Sequence, residues 1–165
     1  MKKFELTREF ITFLGRKLFR IKALVEFGDV KAGELGGYVE KEENINHEGN
    51  AWVYGNARVY GNARVYGDAR VSGDARVYGD ALVVKQEDII FTAAKFGTIF
   101  RTTTAYRTTD GVQINCGCFS GNLEEFREQI TQTREGRMRE KYLHHADEIE
   151  MYFDLDLEKE EKEGE

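Results

Sequence analysis

Four kinds of side chain in this 165-residue sequence could do chemistry: three histidines, two cysteines, a pair of adjacent glutamates and a recurring arginine–tyrosine couple. A histidine acting as a general base needs a partner to orient its ring and a cleft to receive substrate. His47 lies in "HEGNAW", where it takes an inward place and reads as a core or coil-cap histidine. His144 and His145 lie in a helical pattern, and the sequence places neither partner nor cleft for any of the three. Cys116 and Cys118 are one residue apart. Structural zinc wants about four ligands in paired spacing, so C-G-C reads instead as two small apolar residues on one face of a strand. Glu124 and Glu125 fall in the first turn of a predicted helix, where acidic groups favour the helix dipole. These patterns point to no catalytic residue, no metal ligand and no cofactor. What remains is Arg58 with Tyr60, Arg64 with Tyr66 and Arg76 with Tyr78. Arginine offers forked donors for phosphate and tyrosine a stacking surface. The same pair is favoured at protein interfaces.

The elements that must position them repeat. From Val53 to Ala81 the sequence runs "VYGNARVYGNARVYGDARVSGDARVYGDA". Val53, Val59, Val65, Val71, Val77 and Val83 recur at a period of six, as do Ala51, Ala57, Ala63, Ala69, Ala75 and Ala81. Within "A-R-V-Y" apolar and polar residues alternate, the period of a short strand with alanine and valine on one face. The Gly-Asn or Gly-Asp pair then turns a corner, because these residues tolerate positive φ. Strand, corner, strand is the signature of a parallel β-helix. Weaker hexads lead in: "LGGYVE" offers Leu35 and Val39, and "KEENIN" puts Ile45 at the alanine place.

The flanks differ. Residues 4–26 predict a hairpin turning near Gly15, and "EFGDVKAGELGG" a loop into the coil. After Val84, a run rich in β-branched and aromatic residues predicts three strands, with Asp110-Gly111 as a hairpin signal. Asn122 and Glu125 predict a helix start, and a second helix is expected over 137–153. The expected divisions are 1–34, 35–84, 85–155 and an acidic, disordered tail over 156–165. The net charge of −6 argues against broad contact with a nucleic-acid backbone. No apolar stretch approaches the roughly 20 residues of a membrane span. The N-terminal stretch lacks a signal peptide's uncharged run, and two cysteines so close together fit a reducing cytosol.

The repeat resembles the left-handed parallel β-helix of hexapeptide-repeat proteins, whose triangular coils take about three hexads per turn. The wider pattern resembles phage- and prophage-encoded members: a "FGDVKAGELGGYVEKEEN" lead-in, Y-G-N/D-A-R repeats and a "CGCFSGNLEEF" segment. The fold class this implies is mainly β, a short left-handed parallel β-helix with an N-terminal hairpin and a C-terminal α+β cap. Hexapeptide-repeat proteins are commonly trimeric. Some are acyltransferases that use a histidine near a projecting loop, but no loop interrupts Val53 to Val84.

Stacking residues 18 apart puts Asn50, Asn56 and Asn62 under Asp68, Asp74 and Asp80, so that no carboxylate faces another. A turn of 12 would oppose Asp68 and Asp80. The same spacing sets Arg58 beside Arg76 and Tyr60 beside Tyr78, with Glu40 under Arg58. Trp52 and Tyr54 share a second face with Arg70. Arg64 and Tyr66 lie on a third beside Leu82 and Val84. The expected function is non-enzymatic: a homotrimer in the cytoplasm of an infected bacterium that sequesters a small anionic ligand. That ligand would be a nucleotide immune signal, such as a cyclic nucleotide or an ADP-ribose derivative, bound by Arg58, Tyr60, Arg64, Tyr66, Arg76 and Tyr78. The alternatives are a protein-binding inhibitor or structural phage protein, and an acyltransferase.

Overall fold

The structure is a computed structural model that describes residues 1–96 and 99–155. The chain divides into two compact units: residues 1–89 with 106–110, and residues 90–105 with 111 onward.

The first unit opens with an antiparallel hairpin, β1 (Phe4–Phe13) and β2 (Arg16–Ala23), turning at Leu14 and Gly15, both in the left-handed region. β3 (Leu35–Val39) pairs antiparallel with β2. The repeat follows as two-residue strands: β4 (Trp52–Val53), β5 (Arg58–Val59), β6 (Arg64–Val65), β7 (Arg70–Val71), β8 (Arg76–Val77) and β9 (Leu82–Val83). They stack in three parallel ladders. The first is β3-β5-β8, which the hairpin extends to the order β1-β2-β3-β5-β8. The second is β4-β7 and the third β6-β9, with Ile45 bridged to Val65 beneath it.

The register is the one expected. Arg58 pairs with Arg76, Trp52 with Arg70 and Arg64 with Leu82. Every repeat valine and alanine is at most 1% exposed. Each buried valine contributes roughly 1.5–3 kcal/mol, so the period of six maps directly onto one continuous core. The corners need glycine: a Cβ on Gly49, which lies at φ +71, would come within 2.6 Å of the Gly67 carbonyl oxygen in the next turn. Asn50 Nδ2 donates to Asp68 Oδ1 at 2.9 Å, and Asn62 Nδ2 to Asp80 Oδ1 at 3.3 Å.

The first turn departs from the expectation. Tyr38, not Glu40, pairs with Arg58, and Ile45, not His47, lies under the valine column. Both pairings span 20 residues instead of 18, because two extra residues, His47 and Glu48, are inserted in the corner between Ile45 and Val53. Ile45 therefore holds a valine place rather than an alanine place. Leu35 points outward at 48% exposure, while Val39 is buried. Gly36 and Gly37 let β3 lie against the stack: a Cβ on Gly36 would be 2.6 Å from both Ile21 and the Val53 carbonyl.

After the repeat, β10 (Ile89–Phe96), β11 (Ile99–Thr108), β12 (Gly111–Cys116) and β13 (Phe119–Gly121) form a sheet in that order, four strands where three were expected, because Phe119–Gly121 returns antiparallel to β12. Helix α1 (Leu123–Thr133) has the expected capping box: Asn122 accepts from Glu125 N–H at 2.9 Å, and Glu125 accepts from Asn122 N–H at 2.8 Å. Helix α2 (Gly136–Tyr152) buries Tyr142, Ala146 and Ile149 in one cluster with Leu123, Phe126 and Ile130 of α1. Cys116 is buried, but Cys118 occupies the turn before β13 and is exposed, so the two do not share a sheet face. The acidic segment 156–165 lies outside the described residues. Among the described residues no helix is long and apolar enough to cross a membrane.

Candidate functional site

The three ladders present three outward surfaces, and the N-terminal segment treats each differently. On the first, Arg58 and Arg76 lie on adjacent rungs, and the Tyr60 and Tyr78 rings stack at 4.8 Å, 14° from parallel. This surface is not bare. Phe13, near the hairpin tip, lies over both guanidinium groups, at 4.4 Å from Arg58 and 5.2 Å from Arg76, and meets the Tyr60 ring edge-on at 5.9 Å. Tyr60 is only 5% exposed and packs with Leu18 and Tyr38. Burial pushes its hydroxyl up to about 12, against the pull of Arg76, Arg16 and Arg58.

Glu40 does not neutralise Arg58. Its carboxylate accepts from Arg16 Nη1 at 2.8 and 3.0 Å and from the Gly61 N–H at 2.7 Å. Burial pushes the Glu40 carboxyl up, but the bonds from Gly61 and Arg16 outweigh it and hold the group below its ordinary value.

The second surface is closed by the lead-in. Trp52 is fully buried, edge-on to Phe4 and Phe27. Asp29 ties two turns together, accepting from the Tyr54 hydroxyl at 3.1 Å and pairing with Arg70 at 2.9 Å. The Tyr54 bond first, and Arg70 with it, hold the Asp29 carboxyl below the usual carboxylate value.

The third surface is open. A groove of about 680 Å³ runs along it, lined by Glu42, His47, Arg64, Tyr66 and Leu82 among others. Arg64 is exposed, and among the described residues it has no acidic partner.

His47 lines this groove, half-exposed rather than in the core, because its insertion carries it out of the valine column. It has the carboxylate partner that sequence reasoning could not place. Nδ1 accepts the Lys3 N–H at 3.2 Å, so the proton is on Nε2, which donates to Glu42 Oε1 at 2.7 Å. Phe4 stacks on the ring at 4.4 Å. With Nδ1 occupied by a backbone donor and Nε2 protonated, the imidazole has no free lone pair. In this arrangement it fastens the N-terminal strand to the inserted corner and is not set to accept a substrate proton. His145 is buried in α2 beside Glu148 at 3.1 Å, and His144 is exposed. Among the described residues no cluster of His, Cys, Asp and Glu could hold a metal ion.

Of the six expected ligand residues, Arg58, Tyr60, Arg76 and Tyr78 come together on the first ladder, and Arg64 with Tyr66 lies apart on the third. Sequence reasoning missed Phe13, Arg16 and Lys41, which flank the first group. They lie outside the repeat, and no periodicity points to them.

Stacked parallel ladders of a six-residue repeat define a β-solenoid repeat protein. Residues 51–67, 57–73 and 63–77 each match a family model described as the YdcK beta solenoid repeat, and over that stretch the chain is similar to it. Comparison with curated proteins gives no match.

Proposed function

We propose that the repeat closes as a left-handed hexapeptide β-helix and that the protein is a non-enzymatic binding protein which sequesters a small anionic ligand. The resemblance to phage-encoded repeat proteins supplies the setting: a nucleotide immune signal, held in the cytoplasm of an infected bacterium by a homotrimer. The observation that carries the reading is the first ladder. Its register sets Arg58 on Arg76 and Tyr60 on Tyr78, beside a buried phenol that Arg16 also approaches. Charge-assisted arginine–phosphate bonds contribute roughly 1.5–3 kcal/mol each, and base stacking about 1–3 kcal/mol. The engaged nitrogens of His47 favour release of the ligand unchanged over chemical turnover. The open third surface, with Arg64, Tyr66 and Leu82, is the face left for a second subunit, and a site between subunits would draw on it.

Calorimetry with cyclic dinucleotides, cyclic mononucleotides and ADP-ribose derivatives tests this, followed by chromatography of the denatured complex. The expected result is retained, unmodified ligand whose binding is lost in an Arg58→Ala, Arg76→Ala double variant. Hydrolysed ligand would point to an enzyme. No binding across the panel would favour a protein-binding inhibitor, with the third surface as its contact.

A further inference from the structure

A hollow of about 420 Å³ opens beside the first ladder, lined by Arg16, Glu40, Lys41, Tyr60, Asn62 and Tyr78 among others. This volume is within the range of small-molecule sites. Three observations single it out. Tyr60 is only 5% exposed overall and lines the hollow, and its hydroxyl, which has no hydrogen-bond partner among the described residues, still reaches solvent there. Arg76, Arg16 and Arg58 all act on that phenol, while Glu40 is the one carboxylate among the lining residues. Finally, Glu40 shows what the hollow can hold. Its carboxylate takes two bonds from Arg16 and one from the Gly61 N–H. A guanidinium with a backbone amide is a recognition set for a phosphoryl or carboxylate group.

We infer that this hollow is a phosphate-binding subsite. Arg16, Lys41, the Tyr60 hydroxyl and the Gly61 N–H hold a phosphoryl group of a small molecule, and Glu40 is the internal anion that the phosphoryl group displaces. The inference rests on the anionic-ligand reading above and assigns the atoms that would carry it. Tyr60 is a donor here: its hydroxyl stays protonated far above neutral pH, because burial disfavours the phenolate. Glu40, held ionised, competes for Arg16 and the Gly61 amide. Two conservative substitutions should therefore act in opposite directions. Tyr60→Phe keeps the ring against Tyr78 and Phe13 and removes only the donor. Glu40→Gln removes the competing charge.

The test is calorimetry on the full chain with inorganic pyrophosphate, a cyclic dinucleotide and, as an uncharged control, adenosine. Circular dichroism checks that each variant folds. The expected result is binding of both phosphate compounds and not of adenosine. Affinity should fall about tenfold in Tyr60→Phe, fall further in Arg16→Ala, and rise about threefold or more in Glu40→Gln. If the dinucleotide binds but neither Tyr60→Phe nor Glu40→Gln changes its affinity, the subsite is wrong while the sequestration reading stands. If no phosphate compound binds either the parent protein or Glu40→Gln, both are overturned.

Discussion

Asn44 shows how much a single amide can do in a stack this narrow. It is fully buried at the corner after β3, in a short 3₁₀ turn. Its Oδ1 accepts the Lys41 N–H at 3.0 Å, and its Nδ2 donates to Gly61 O at 3.2 Å and Ala63 O at 2.8 Å in the next turn. The second 3₁₀ turn, after β9, has Asp88 at the matching place, accepting from Val84 and Lys85 N–H at 2.9 and 3.0 Å. A carboxylate can take up the local amides but has no N–H for carbonyls of another turn. Asn44→Asp should therefore strand the buried Ala63 carbonyl and the part-buried Gly61 carbonyl and bury a charge, costing about 3 kcal/mol or more. Chemical denaturation would measure it, and a loss below about 1 kcal/mol would contradict the role given to Nδ2. Val65→Asp should be harsher, because the interior offers no partner for a charge; the expected outcome is no soluble folded protein.

At the scale of elements, the N-terminal segment is fastened to the stack by groups that titrate. Lys2 and His47 bind Glu42, Arg16 binds Glu40, and Arg70 binds Asp29. Lys2 first, then His47, hold the Glu42 carboxyl below its ordinary value, as Glu40 and Asp29 are held below theirs. Their contribution is complete above the ordinary carboxylate values of 3.8 and 4.5, and is lost as pH falls through the lower folded values. Melting temperature should drop steeply there, and Glu40→Gln with Glu42→Gln should flatten the drop. Lys3 acts at the other end of the scale. It is buried, donates to Gly49 O at 3.1 Å and lies over the Phe27 ring; burial lowers its ammonium from 10.5 to about 8. Between those values the unfolded chain binds the extra proton, so stability should rise with pH. Above about 10 the trend reverses, since Tyr54 and Tyr60 ionise in the unfolded chain but only near 12 in the folded one. Lys3→Met should abolish the alkaline rise and leave the later fall.

For the whole molecule, the central finding is that the N-terminal segment closes the second ladder surface and lies over only part of the first. Phe13 at the hairpin tip caps Arg58 and Arg76 but leaves the hollow beside Tyr60 and Tyr78, and Arg64, Tyr66 and Leu82 line the groove on the third. A homotrimer built on that surface should give about three times 19.0 kDa by light scattering, and Arg64→Glu should dissociate it. A monomer at micromolar concentration would remove any site between subunits. The repeat core was legible in the sequence because valine and alanine recur at one period and the asparagines offset the aspartates by one turn. The helix start at Asn122 was legible for the same local reason. The inserted corner was not. His47 and Glu48 resemble part of a hexad, and only the pairing of Ile45 with Val65 shows that two residues are extra. Phe13, Asp29 and Arg16 escaped notice because they reach the repeat through long-range packing that no local period encodes. The measurement that bears most directly on the account is disulfide trapping with Cys116 and Cys118 replaced by serine. Rungs about 4.7–4.9 Å apart fall within the 4.4–6.8 Å that a disulfide spans between Cα atoms. The register predicts that Asn62→Cys with Asp80→Cys oxidises readily within one chain, and that Asn62→Cys with Asp74→Cys stays reduced. The reverse pattern would mean that residues 18 apart are not neighbours, and the arginine–tyrosine ladder would not exist.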